Sequence, residues 1–222
     1  MKRYRWLKAR WPISMRVLAK RLRVKQFDGI QVEGFVLDRV RDDFIDARFV
    51  EKIEYDETVT DPFGVEASFH RVEYRKCEFK AMQEGPGLEI VDAPRSVQTM
   101  VSRLAEATDF ALAISPLSVD VLAWAAAIQS RLNVVGDVDS LQVGSLELSQ
   151  GVQAKVIVKG YGDVLAATQL VVHEKPHVIE KVQIRLFGSK GVTLLLTKSG
   201  VARFDQEPSE ELLAVVRSSL PI

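Results

Sequence analysis

Ten Lys or Arg and no Asp or Glu fall within the first 25 residues of this chain. Arg3, Arg5, Lys8 and Arg10, with Lys2, are interleaved with Tyr4, Trp6 and Trp11. Arg16, Lys20 and Arg23 follow at spacings that share one helix face, with Arg21 at its flank. Cations at this density neutralise phosphates and release counterions, and aromatic rings stack on bases, so the mixture suits nucleic acid. It also suits an acidic protein surface, or the acidic body of the same chain. Residues 26–107 hold 10 basic and 18 acidic groups, and residues 108–222 hold 10 and 12. Arg16 lies near a helix N-terminus, where the macrodipole disfavours a cation, so local helix stability does not account for it.

The remaining reactive side chains form weaker patterns. Asp61 followed by Glu78 and Lys80 fits the order of a metal-dependent nuclease, in which Asp and Glu-x-Lys on neighbouring strands hold a divalent cation and activate water. Such alternating charge is also ordinary on a solvated strand. His70 and His177 are each followed three residues later by Glu73 or Glu180. Residues three apart on a strand face opposite ways, so neither pair converges on a metal. His173 lies near His177 with no third ligand at metal spacing. Cys77 has apolar neighbours at alternate positions and reads as a packed thiol. No phosphate-binding glycine loop, zinc-protease, hydrolase-elbow or paired CxxC motif is present. The expectation is a binding protein rather than an enzyme, with no cofactor and no metal.

A third surface is suggested by Val121 to Ile128, a stretch apolar nearly all round. Such a helix is either buried or an interface. In the second case Trp124, Ala127 and Ile128 provide the contact, small residues allowing close approach and Trp supplying area. This makes a homo-oligomer or assembly subunit the alternative function.

These residues need elements to hold them, and the elements read as one unit written twice. Pro12 to Ala19 recurs as Pro116 to Ala123, and further matches follow in order: Ile30-Gln31-Val32 with Leu141-Gln142-Val143, Ile45 to Arg48 with Val152 to Lys155, and His70 to Glu73 with His177 to Glu180. Copy one predicts a strand over 4–11, a helix over 14–24, strands near 30–38, 44–56, 65–81 and 87–92, and a helix over 96–105. Copy two predicts a strand over 110–114, a helix capped by Ser118 and running to about 132, strands over 143–148, 153–158, 164–172 and 178–187, a hairpin of 192–196 and 201–204 turned at Gly200, and a helix over 207–218.

The order strand, helix, antiparallel strands, helix, repeated, resembles the duplicated topology of the TATA-box-binding-protein-like fold. The resemblance is to element order alone and implies an α+β protein with pseudo-two-fold packing. Two repeats are expected, 1–107 with the basic head and 108–222. A single cysteine and no apolar run of membrane-spanning length point to a reducing, cytoplasmic setting. An Arg-rich head free of acid also looks like an organellar transit peptide, but the match of Pro12 to Ala19 with an internal segment argues that it belongs to the fold.

Overall fold

The structure, a computed structural model, describes residues 1–173, 175–187 and 191–222. Among the described residues five helices and eleven strands make a mixed α+β protein with antiparallel sheet. In chain order these are β1 (Lys2–Arg10), α1 (Met15–Val24), β2 (Glu33–Val40), β3 (Phe44–Thr60), β4 (Glu66–Met82), β5 (Gly87–Val91), α2 (Gln98–Ala107), β6 (Ala113–Pro116), α3 (Val121–Leu132), β7 (Gly136–Ser149), β8 (Val152–Lys159), α4 (Leu165–Val172), β9 (Val178–Leu186), β10 (Val192–Thr197), β11 (Val201–Phe204) and α5 (Glu210–Ser218). The chain divides into two compact units, 9–113 and 1–8 with 114–222.

In the unit 9–113 the strands run in the order β2-β3-β4-β5, with the end of β1 next. Alternation puts Ile45, Ala47 and Phe49 of β3 and Phe79 and Ala81 of β4 on a buried face. Met15, Leu18, Ala19 and Leu22 of α1 are buried, as the helical period requires. Phe35 packs against Phe49 and Phe79 at centroid distances of 5.1 and 6.0 Å. Gly87 is required at its position. Its φ is +86°, and a Cβ there would stand 2.1 Å from the Ala9 carbonyl oxygen. That close approach lets Trp11 donate its indole N–H to the Gly87 carbonyl at 2.9 Å.

In the other unit the order is β1-β11-β10-β9-β7-β8, with β6 also on β1. Tyr4 and Trp6 enter its core, Tyr4 edge-on to Phe204 at 5.7 Å and Trp6 edge-on to Trp124 at 5.7 Å. The β10–β11 hairpin forms as its sequence dictates, with Gly200 at φ +68°.

Three local expectations fail for physical reasons. Residues 164–172 form the helix α4 rather than a strand. Asp163 accepts the Leu165 N–H at 2.7 Å, and Leu-Ala-Ala-Thr-Gln-Leu outweighs the flanking valines in helix preference. The Thr168 hydroxyl bonds back to the Val164 carbonyl at 2.8 Å. Ser118 does not cap α3; Asp120 does, accepting from Leu122 and Ala123 at 2.9 and 3.0 Å. The strand expected at 110–114 begins only at Ala113, because Asp109 and Phe110 both adopt positive φ.

Candidate functional site

The basic head is divided by the fold. Tyr4, Trp6 and Trp11 are all buried, so none of the three rings presents a face to a base. Arg3 and Arg5 are half-buried on β1, and Arg3 stands opposite Arg203 in the register with β11. Lys8 and Arg10 are exposed. Of the five cations on β1 only Lys8 and Arg10 are exposed, whereas three of the four on α1 are: Arg16, Lys20 and Arg23.

Helix α1 starts where the Ser14 hydroxyl accepts the Val17 N–H, and it carries no acidic residue in its first turn. With Met15, Leu18, Ala19 and Leu22 turned inward, Arg16, Lys20 and Arg23 face solvent. Arg16 makes a bidentate pair with Asp42, its Nη2 donating to Oδ2 at 2.9 Å. Arg21 donates to Asp109 at 2.6 Å and to the Ala107 carbonyl at 3.0 Å. Lys20 and Arg23 meet no hydrogen-bonding or ion-pair partner among the described residues. Beside them Val17 and Val24 are exposed, Val24 by 83%. Val17, Lys20 and Val24 lie at i, i+3 and i+7, so the outer face is a mixed stripe of aliphatic and cationic side chains.

At the end of α1 the charges are already spent. Lys25 donates to Glu106 at 2.9 Å, and Arg103 is shared between Glu33 and Glu106. Lys25, then Arg103, holds the Glu106 carboxyl below the usual glutamate range. A cleft of about 350 Å³ lined by Lys25, Glu33, Phe35, Phe49 and Arg103 therefore holds cations that are neutralised within it.

The nuclease trio does not assemble. Asp61 sits in the β3–β4 turn, where its carboxylate accepts the Phe63 and Val65 N–H groups at 2.8 and 2.9 Å. Glu78 lies twelve residues along β4 from Glu66, the residue that closes the turn against Thr60. At about 3.4 Å per residue that is roughly 40 Å, far beyond a shared metal ion. Lys80 is engaged with Asp46 at 3.1 Å and lies over the Phe44 ring. No cluster of three potential metal ligands occurs among the described residues.

Trp124 and Ile128 are fully buried, Ala127 is partly exposed, and the Trp124 indole donates to the Val216 carbonyl at 2.9 Å. The helix buries one face as core, its Trp provides no surface, and Ala123 and Ala126 are exposed on the other face. Cys77 is buried as well, and burial, with Glu51 and Glu78 adding, pushes its thiol up to about 11. His70 meets Asp56 at 3.1 Å on an exposed strand, and His177 contacts the Lys175 carbonyl oxygen at 2.8 Å.

The element missed in the sequence is the far half of the β3–β4 ribbon. Seventeen consecutive pairs hold these strands in register without a shift. Strand β2 covers β3 only as far as Glu51, and β5 covers β4 only over Glu78 to Ala81. Beyond those points residues 54–60 and 66–76 are exposed throughout. The available signal was length. Strands near 44–56 and 65–81 exceed the usual five or six residues, more than one small core covers.

Compared with known proteins, the chain matches no family model, and none of the curated proteins is significantly similar to it in sequence. No helix among the described residues is long and apolar enough to cross a membrane.

Proposed function

We propose that this is a non-enzymatic binding protein, and that the outer face of α1 docks an acidic protein surface. The observation that carries the reading is the pair Lys20 and Arg23, exposed and without a partner among the described residues, beside Val17 and Val24. Aliphatic side chains between cations complement a protein surface better than a phosphate backbone. Arg16 already meets the carboxylate of Asp42 in the fork geometry that suits Arg. An exposed pair of this kind contributes at most about 1 kcal/mol, so a partner carboxylate can displace Asp42.

Nucleic acid is the second reading, supported by the ten cations of the first 25 residues. With the head's aromatic rings buried, it reduces to phosphate contact without base stacking. Fluorescence anisotropy with labelled poly-glutamate and with labelled duplex DNA separates the two. Preferential poly-glutamate binding lost in Lys20→Glu/Arg23→Glu supports the first reading. Preferential DNA binding, weakening steeply with salt, supports the second. No binding of either probe removes α1 as a contact surface.

We also read the two units as diverged copies of one ancestor, in cytoplasmic surroundings. With β8 and α4 set aside, each unit follows its first helix with four strands in neighbouring order, β2-β3-β4-β5 and β7-β9-β10-β11, and then a helix. That order supports duplication of the TATA-box-binding-protein-like kind, with β8 and α4 as an insertion; it pairs β3 with β9, not with β8, where Val152 to Lys155 echoes Ile45 to Arg48.

A further inference from the structure

We infer that the far half of the β3–β4 ribbon is an assembly arm whose occupant is the α1 face of a second copy of this chain. This rests on the reading of α1 as a contact surface for carboxylates, and it names their source.

An isolated two-stranded ribbon is marginally stable in water, and a long exposed edge invites pairing with another chain. Proteins that keep such edges single interrupt them with bulges, prolines or lysines. Here the seventeen pairs run without a bulge, the one proline of the segment is Pro62 in the turn, and the one lysine between 54 and 76 is Lys76. The contrast lies in the same molecule. The β7–β8 hairpin, at the end of its strand order, is broken by two register shifts and carries Lys155 and Lys159 on β8.

The two faces of the ribbon differ in charge. Cross-strand register places Tyr55, Glu57, Val59, Phe69, Arg71 and Glu73 on one face, where Arg71 is held by Glu57 at 2.7 Å and the Tyr55 hydroxyl donates to Glu73 at 2.8 Å. The opposite face carries Glu54, Asp56 and Glu66 beside Val72, Tyr74 and Lys76. Lys52 pairs with Glu54 and His70 meets Asp56 at 3.1 Å, surface pairs that a partner's cations can displace. With Glu66, the carboxylates outnumber the two lysines at the base of this face. Over residues 54–76 six carboxylates face three cations. An acidic face with two exposed apolar side chains matches the stripe of Val17, Lys20, Arg23 and Val24 in both sign and character. The uncovered length of about nine pairs, roughly 30 Å, exceeds the roughly 15 Å of a ten-residue helix. Each copy carries one arm and one α1 face, so two copies can exchange arms in a closed pair in which every contact occurs twice.

The test is sedimentation velocity on the full chain at about 50 mM and about 500 mM salt, on either side of effective screening. One variant reverses the arm (Glu54→Lys/Asp56→Lys/Glu66→Lys) and another reverses the helix (Lys20→Glu/Arg23→Glu), each checked for an unchanged circular dichroism spectrum. All five positions are exposed; Lys20 and Arg23 have no partner among the described residues, and the pairs that Glu54 and Asp56 make with Lys52 and His70 lie at the surface. The expected result is a dimer at low salt that weakens roughly tenfold or more at high salt. Each variant alone is then monomeric, and their equimolar mixture is a dimer, because reversing both partners restores complementarity in both contacts. An arm variant that still dimerises, or a mixture that stays monomeric, overturns the inference. A wild-type chain that remains monomeric while binding labelled poly-glutamate also overturns it and leaves α1 as the contact surface. A chain that neither dimerises nor binds poly-glutamate overturns both.

Discussion

Helices α1 and α3 begin alike and end in opposite roles. Each follows a proline and starts at a side-chain cap, Ser14 in one and Asp120 in the other. Helix α1 buries a narrow stripe and turns Arg16, Lys20 and Arg23 outward. Helix α3 buries Val121, Trp124, Ala125 and Ile128, and its Trp closes against Trp6 and the Val216 carbonyl. Both helices anchor the fold by a buried face, but only α1 sets cations along its exposed one. A second contrast runs parallel to it. The β7–β8 hairpin buries Val143 and Leu146 close to its register shifts, whereas the far β3–β4 ribbon buries nothing between residues 54 and 76.

The helix contrast is broken most directly by truncation. Trp124→Ala is expected to cost about 3–5 kcal/mol, because a large buried ring and its hydrogen bond are lost together. Lys20→Ala/Arg23→Ala is expected to change stability by no more than about 0.5 kcal/mol per site, as for surface positions generally. Urea denaturation of both proteins measures the difference; equal costs would mean that α1 is as structural as α3.

The hairpin contrast predicts the next largest effect. Leu146→Ala, at a fully buried site of β7, should lose about 2–5 kcal/mol. Replacing residues 55–71 with an Asn-Gly turn between Glu54 and Val72 should cost less than about 1 kcal/mol in the monomer, since the segment contributes no core. A collapse of the shortened protein in thermal melts would show that the arm supports its own unit.

The caps sharpen the comparison on a smaller scale. The Asp120 carboxylate accepts two backbone N–H groups at 2.9 and 3.0 Å, while Ser14 accepts one at 3.4 Å. Asp120→Ala should cost about 1–2 kcal/mol and Ser14→Ala nearer about 0.5 kcal/mol. Equal losses would place both helices in the same dependence on their caps. The smallest effect concerns Cys77, at the root of the arm. With its thiol pushed up to about 11 by burial, iodoacetamide at neutral pH should label it at less than about a tenth of its rate in denaturant. Rapid native labelling would mean that the base of the ribbon opens.

Much of this structure was legible in residue order. The apolar stripe Met15, Leu18, Ala19, Leu22 marked α1 and its buried side, and Gly200 marked the β10–β11 turn. The valines at 164, 171 and 172 suggest a strand, because β-branched residues favour one, while the Asp163 carboxylate bonded to the Leu165 N–H and the alanines that follow favour a helix, and local hydrogen bonds decide for the helix. The α1 cations were visible as cations, but their availability was not. Asp42 lies 26 residues from Arg16 and Asp109 lies 88 from Arg21, and only folding brings each pair together.

What the sequence determined by itself is what neighbours within about four residues decide: helical and strand periods, turn glycines, and the segregation of charge into a basic head and an acidic body. Only the tertiary structure decided that Tyr4, Trp6, Trp11 and Trp124 are core, that Asp61 and Glu78 stand far apart on one ribbon, and that Lys20 and Arg23 have no partner among the described residues. The reason is physical. Burial and ion pairing depend on which distant segments the sheet register places together, and register is fixed by the sum of many long-range contacts.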